Sequence, residues 1–448
     1  MRSSPQDQLS SLITVPNAIL VRGARQLLTL RGPSGPRRGA ALNNLGITED
    51  GAVLIVNGVI VELGLTRRVE NLTLARNARE IDAHGRVVMP GFVDSHTHLI
   101  SGLPPLAAFE QVIQGTRPPE EMGARAVLAA VKGVRETPER LLKTQAAAIL
   151  RDCLRHGTTT LEAKSGYALN EGGELKILRV LAALNQPPFD VASTFFGAQA
   201  IAPEYEARPD EYIDWLCGYM LPLIRRRKLA EFVDAWCDRG ALTSSQARRI
   251  LEAARGLGFP IKVHADQFGN HGGVALAVEL GAVSVDHLAF TGGYEADLLV
   301  ESATIATLLP GAVFHLAWQQ YAAARQLIDR GVAVALASNY SRTVTPSYNM
   351  QMVLALACRE MRMTAAEAIS AATINGAHAL RRSHRIGSLE IGKDADLILL
   401  NASDYREIAY GFGGNLVAMT MKRGEIVYNS SEASCGQETS DEDTEDDD

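Results

Sequence analysis

Apolar and polar positions divide the chain into three stretches. Over residues 15–88, short apolar runs (NAILVRGARQLLTL, GAVLIVNGVIVELG and VVM) are broken by Gly-, Asn- and Pro-rich pieces. Such runs read as strands joined by turns, and RGPSGPRRGA at 31–40 reads as a loop. A helix in this stretch would be out of place. From Gly91 to about Arg382 the period changes, and strand-like apolar runs alternate with helical ones. TQAAAILRDCLRHG leads into TTTLEAKSG, FVDAWCD precedes SSQARRILEAARGLG, and PIKVHADQ precedes GGVALAVELG. SVDHLAF, TIATLLPG and VAVALASN continue the series. Strands alternating with helices predict a parallel sheet, and about eight such units predict a (β/α)8 TIM-like barrel. A doubly wound open sheet is the alternative, but no GxGxxG follows the first strand. The chain then returns to β character in SLEIGKDADLILLN and LVAMTMKRGEIVY. The expected architecture is an α/β barrel, 89–384, inserted in a small β-sandwich built from both chain ends, 15–88 and 385–429. A disordered N-terminus, 1–14, and an acidic disordered tail, 430–448, flank it.

Composition narrows the function. The chain is 46% hydrophobic and 21% charged, ordinary for a water-exposed globular protein. No apolar run approaches the ~20 residues of a membrane helix, and MRSSPQDQLSSL lacks a signal-peptide core. Five scattered cysteines form no CxxC pair, which disfavours a disulfide framework or a thiolate zinc site. These features predict the cytoplasm. The formal net charge is -7, and the final DEDTEDDD alone holds seven acids. The remainder is close to neutral, so it has no field suited to nucleic acid.

The chemistry centres on VMPGFVDSHTHL, residues 88–99. Met-Pro-Gly opposes a helix, and alternate residues of a strand face one way, so His96 and His98 project together toward one ion. Active sites of parallel barrels lie at the C-terminal ends of strands. Polar residues at those positions are Lys164, Tyr167, Gln199, Asp234, Asp238, His264, Gln267, His287 and Asn339. A lone strand-end histidine usually serves the core. Four of them at the ends of three strands point instead to a single metal site. Imidazole suits zinc or iron, with a position left open for water, and such an ion lowers the pKa of water toward ~7 and polarises a carbonyl. That is hydrolytic equipment. Among the other histidines, His315 follows an apolar run and is a further position of interest. Lys164 reads as a structural ion-pair partner. Tyr167, just past a strand, can donate a hydrogen bond to a substrate, and Gln267 can orient water or an amide but cannot act as a base.

Together these segments resemble the amidohydrolase superfamily, and within it the imidazolonepropionases. The resemblance runs from about Asn17 to Val427. PGFVDSHTHL and IGKDADLILL are its general features. GTTTLEAKSGYALNEGGELKILRVL, IKVHADQFGNHGG, SVDHLAF, TLLPGAVF and NASDYREIAYGFGGNLV are more specific. The resemblance implies a barrel with a β-sandwich, one divalent zinc or iron ion and a homodimer. It implies that water opens the ring of 4-imidazolone-5-propanoate to N-formimidoyl-glutamate, in histidine breakdown. Carried over by position, the metal ligands are His96, His98, His264 and Asn339, the last standing where the family carries aspartate. His287 meets the substrate and the attacking water and can itself take the proton. Gln267 shares the catalytic pocket at a position of Glu or Gln, and Tyr167 binds substrate. The departures cluster here. Gln199 replaces a substrate-facing histidine, and ISGLPP replaces the segment with the arginine that grips the propanoate. Ser341, Arg342 and Thr343 replace Asn-Pro-Gly, which makes Ser341 and Arg342 substrate-binding candidates, with Arg342 as a substitute cation. Two other outcomes are a hydrolase of another small cyclic amide and a non-catalytic binding protein on this scaffold.

Overall fold

The computed structural model describes residues 17–118, 121 and 123–431; the 1–14 segment and the acidic tail beyond Ser431 lie outside the described residues. The first β layer opens with β1 (Ala18–Leu28), β2 (Ile47–Val56), β3 (Val59–Leu65), β4 (Arg79–Asp82) and β5 (Val87–Pro90). Barrel strands β6 (Phe92–Asp94), β7 (Thr158–Lys164), β8 (Val191–Ala198), β9 (Phe232–Cys237), β10 (Ile261–Ala265), β11 (Ser284–His287), β12 (Ile305–Leu308) and β13 (Val334–Leu336) follow. The chain closes with β14 (Leu397–Leu400), β15 (Val417–Lys422) and β16 (Glu425–Asn429).

Both chain ends build one hydrogen-bonded mixed sheet, ordered β16-β15-β14-β5-β1-β2-β3, with β4 also paired to β1. A bulge between Val21 and Ala24 bends β1, so its first half pairs β4 and its second half pairs β5. One α-helical turn, Thr66–Val69, and two 3-10 turns, Gly39–Asn43 and Thr73–Ala75, depart from the all-β expectation. Thr66 Oγ1 donates to the Asp50 carbonyl at 2.9 Å and accepts the Gly23 N–H at 3.1 Å. Val69 buries against Leu20, Leu54 and Ala75. A side-chain clasp and a small apolar cluster, not helical periodicity, wind this turn. Gly91 carries the chain from sheet to barrel, where a Cβ would lie 2.3 Å from Thr159 Cγ2.

The barrel strands run in parallel sequence order from β6 to β13. Every residue of β9, β10, β12 and β13 is buried, as expected for strands covered on both faces. The ring closes just beyond β6 and β13. There the Asn339 N–H donates to the His96 carbonyl at 3.1 Å, and the His98 N–H to the Tyr340 carbonyl at 2.7 Å. Asp94 accepts the Ser338 N–H at 3.0 Å across the same seam. The interior is unusual in its floor. Glu162, Lys164, Asp234, Lys262 and Asp286 are all buried there, in place of a purely aliphatic layer. Lys164 Nζ lies 2.8 Å from both Glu162 and Asp234, and Lys262 Nζ lies 2.9 Å from Glu162. Asp190 fastens the barrel base to the β layer, pairing Lys422 at 3.0 Å, Arg385 at 2.7 Å and Arg382. No helix of the described residues is long and apolar enough to cross a membrane.

Candidate active site

Four histidines meet at the C-terminal mouth of the barrel. His96 and His98 lie just past the end of β6, in the extended segment whose Thr97 bridges Tyr340. His264 lies near the end of β10, and His287 ends β11. Ring centroids are 4.4 Å apart for His96 and His264, 5.1 Å for His264 and His287, and 5.4 Å for His96 and His98. Ligand nitrogens of His96, His264 and His287 all fall within 4.8 Å of one another. His98 flanks this group, 6.1 Å from His264 and 5.6 Å from the Tyr167 ring. Backbone geometry explains how His287 joins. Asp286 faces the barrel floor, so plain strand alternation would turn His287 outward. A φ of 89° at His287 turns the chain instead, and Asn339 makes a similar turn with φ 56° beyond β13. Such left-handed non-glycine residues concentrate at functional sites because the surrounding fold must hold them there.

Electrostatics leaves these rings neutral. Burial holds His96, His98, His264 and His287 well below the usual histidine range; the neighbouring imidazoles and Lys164 add to it. Burial opposes ionisation of Asp286, but Lys262 and Lys164 outweigh it and hold that carboxyl low. The Asp286 carboxylate therefore accepts from His96 Nδ1–H, at 2.8 Å. That fixes the tautomer and leaves the His96 Nε2 lone pair free, in a ring grouped with His264 and His287. His264 Nδ1 lies 3.0 Å from Asp234 Oδ2, off the axis that a hydrogen bond needs.

The donor set fits a divalent ion. His96 Nε2 and His98 Nδ1 are buried with no hydrogen-bond partner among the described residues. A buried unpartnered polar atom costs about 1–3 kcal/mol, which a bound cation would remove. Asn339 adds an amide oxygen; its Nδ2 donates to Thr345 Oγ1 at 3.2 Å.

A cavity that opens to solvent lies beside the histidines. Tyr167, Gln199, Gln267, Asn339 and Ser341 line it together with His98, His264 and His287. Among the described residues no Arg, Lys, Asp or Glu lines it. A second cavity shares Gln267 and His287 and is otherwise largely apolar, with Leu309, Val313, Leu316 and Trp318. Arg342 is absent from both walls, and its backbone N–H donates to Ser101 Oγ at 3.0 Å. His315 stacks on Phe109 at 4.7 Å, outside the histidine group. Lys164 and Asp234 belong to the floor.

Several supporting residues escape a reading of strand ends. Glu174 Oε2 accepts the Gly166 N–H, and its Oε1 accepts those of Ala168 and Leu169, each at 2.9 Å. This carboxyl shapes the loop that presents Tyr167. Asp238, seen in the sequence only as a strand-end polar residue, accepts the backbone N–H groups of Gln267 and Phe268, the second at 3.2 Å. Thr343 Oγ1 lies 3.0 Å from the Tyr167 hydroxyl. Acid spacing within NEGGEL hints at a cap but does not say that Glu174 reaches back over the preceding loop.

A barrel with this histidine mouth and a sheet built from both chain ends defines a class of hydrolases, and the chain belongs to the amidohydrolase family, whose model matches residues 87–427. Within it the chain is similar to the imidazolonepropionase of Chloroflexus aggregans. The two are 42% identical over 426 residues, covering 93% of this chain and 99% of that one. The imidazolonepropionase of Geobacillus thermodenitrificans is 44% identical over 416 residues, covering 92% and 98%. Solved structures share the fold at lower identity. An adenosine deaminase from Xanthomonas campestris with bound zinc superposes with TM-score 0.64 at 20% identity, covering 94% and 97%. A triazine hydrolase from Arthrobacter aurescens gives 0.67 at 16%, covering 94% and 99%.

Proposed function

We propose that this chain is a hydrolase of carbon–nitrogen bonds in cyclic amides that opens 4-imidazolone-5-propanoate with water, giving N-formimidoyl-glutamate in histidine breakdown. The observation that carries this reading is the cluster of neutral histidines with a buried, unpartnered His96 Nε2, in a chain 42% identical to an imidazolonepropionase over nearly its full length.

His96, His98 and His264, with the Asn339 amide oxygen, are the donors we assign to one zinc or iron ion. When bound, such an ion lowers the pKa of water and polarises the ring carbonyl. Gln267 and Asn339 cannot accept a proton at neutral pH, so proton transfer falls to His287. His287 takes a proton from the attacking water as its oxygen bonds the carbonyl carbon. It returns that proton to the ring nitrogen as the C–N bond breaks. Gln267, held by Asp238, orients the water, while the Tyr167 hydroxyl and the Gln199 amide meet the rest of the substrate. The resemblance also supports a homodimer, which a solution mass measurement tests.

Metal analysis followed by turnover tests the reading. One equivalent of zinc or iron with formation of N-formimidoyl-glutamate is the expected result. Metal-loaded protein that leaves 4-imidazolone-5-propanoate intact refutes it.

A further inference from the structure

The substrate just proposed is an anion, and among the described residues the cavity wall holds no cation. Among the described residues its polar groups are imidazoles, amides, hydroxyls and the indole N–H of Trp236. The expected substitute, Arg342, does not reach the wall. An acidic arm must still be met by donors, because a carboxylate stripped of water and left unbonded is strongly disfavoured.

One group of donors is built for this. The Tyr167 hydroxyl lies 3.2 Å from Ser341 Oγ and 3.0 Å from Thr343 Oγ1, and those two oxygens are 2.7 Å apart. All three are buried. They share hydrogen bonds among themselves, yet each hydroxyl rotates freely enough to donate elsewhere. The Thr343 N–H donates to Ser341 Oγ at 3.2 Å, which fixes that oxygen and leaves its proton for another acceptor. Gln199 lines the same cavity at 4% exposure, and its Oε1 has no hydrogen-bond partner among the described residues. Gly166 makes room for that amide, since a Cβ there would lie 2.5 Å from Gln199 Oε1.

We propose that this chain holds the arm of its substrate with neutral donors, Tyr167, Ser341 and the Gln199 amide, backed by Thr343, and that it therefore also takes imidazolones with an uncharged carboxamide arm. The inference rests on the reaction proposed above. A guanidinium fork binds a carboxylate through two charge-assisted bonds and selects strongly against a neutral arm. Hydroxyl and amide donors bond a carboxylate oxygen or an amide carbonyl alike. The Gln199 amide carries an acceptor oxygen as well as an NH₂ donor, so it suits a carboxamide arm too.

Calorimetry on metal-loaded, full-length protein separates the arm from the chemistry. The probes are 3-(imidazol-4-yl)propanoate and the matching propanamide, beside turnover of the two corresponding imidazolones. The two probes are expected to bind within ~10-fold of each other, with Tyr167→Phe and Ser341→Ala each weakening both by about 5–10-fold at unchanged metal content. Propanamide binding more than ~100-fold weaker, or Arg342→Ala weakening only the propanoate, would overturn the inference. Turnover of the propanoate imidazolone with rejection of its amide overturns the inference and leaves the proposed reaction standing. Binding of both probes without opening of either ring does the reverse, and binding of neither with neither ring opened overturns both.

Discussion

Removing the Glu174 carboxyl should loosen the loop that carries Tyr167 without disturbing the histidines. Glu174 is 1% exposed and accepts three backbone N–H groups, from Gly166, Ala168 and Leu169. Bonds to a charged acceptor contribute roughly 1.5–3 kcal/mol each. The three share one side chain and do not add fully, so Glu174→Ala should cost about 3–5 kcal/mol locally, including the stranded amides. Glu174→Gln keeps an oxygen for Ala168 and Leu169 but turns an NH₂ toward the Gly166 N–H, and about 2 kcal/mol should be lost. Hydrogen exchange reads this directly, since local opening reports local stability. A loss of 3 kcal/mol corresponds to exchange about 100-fold faster in a peptide spanning 165–170. Metal content should hold, and KM should rise more than kcat falls, because the role proposed for Tyr167 is to meet the substrate and not the ion. Exchange in Glu174→Ala within threefold of the parent, with KM unaltered, would show that the loop is held by something else.

Four further outcomes follow from the geometry. Asp286→Asn removes the charge behind His96 Nδ1 and should weaken metal binding ~10–100-fold by chelator competition; unchanged affinity would mean that His96 needs no such partner. Asn339→Asp restores a carboxylate beside the cavity and should raise kcat by ~10²-fold or more, whereas no gain at full metal occupancy would mean that His287 alone suffices for proton transfer. Burial pushes His378 down from 6.5 to about 4, so the unfolded chain binds its proton first on acidification. Stability should therefore fall as pH drops from about 6.5 to 4, by about 2 kcal/mol after allowing for partial exposure, and His378→Gln should flatten that slope in pH-dependent denaturation. Asp190→Asn removes the carboxylate shared by Lys422, Arg382 and Arg385, each of which keeps a second partner in Asp396, Glu231 or Asp394, and should cost ~1–3 kcal/mol; an unshifted thermal midpoint would show that the cluster does not brace the join.

The barrel is legible in the chain because burial on both faces writes its strands as unbroken apolar runs. IATL of β12 and VAL of β13 need no partner to be recognised. The strand-end rule likewise finds His96, His98, His264 and His287, since HTH and the VH and DH endings stop such runs. The Thr66–Val69 turn is not legible, because its clasp joins Thr66 to Gly23 and Asp50 across two strands. The floor is hidden for a related reason. Glu162, Lys164, Asp234, Lys262 and Asp286 look like surface charges one at a time. They become a buried lattice only when β7, β9, β10 and β11 curl into one ring.

The same limit governs the site itself. Residue types at strand ends name the candidates, but backbone turns decide which of them face inward. A φ of 89° brings His287 to His264, and nothing in SVDHL announces it. Arg342 shows the converse. It carries the right charge next to Ser341, but the bridge between Ser341 and Thr345 folds 342–344 into a turn. Ser341 stays on the cavity wall and Arg342 leaves it. Read as isolated substitutions, Gln199, Asn339 and Ser341 look like three separate losses of catalytic or binding power. Assembled on one wall they have a single consequence: among its described residues, only the imidazoles are bases able to take up a proton. Recognition then rests on neutral donors and proton transfer on imidazole. An arginine placed on that wall should tighten binding of the propanoate probe while leaving the propanamide probe nearly unchanged, and equal tightening of both would contradict this account of the pocket.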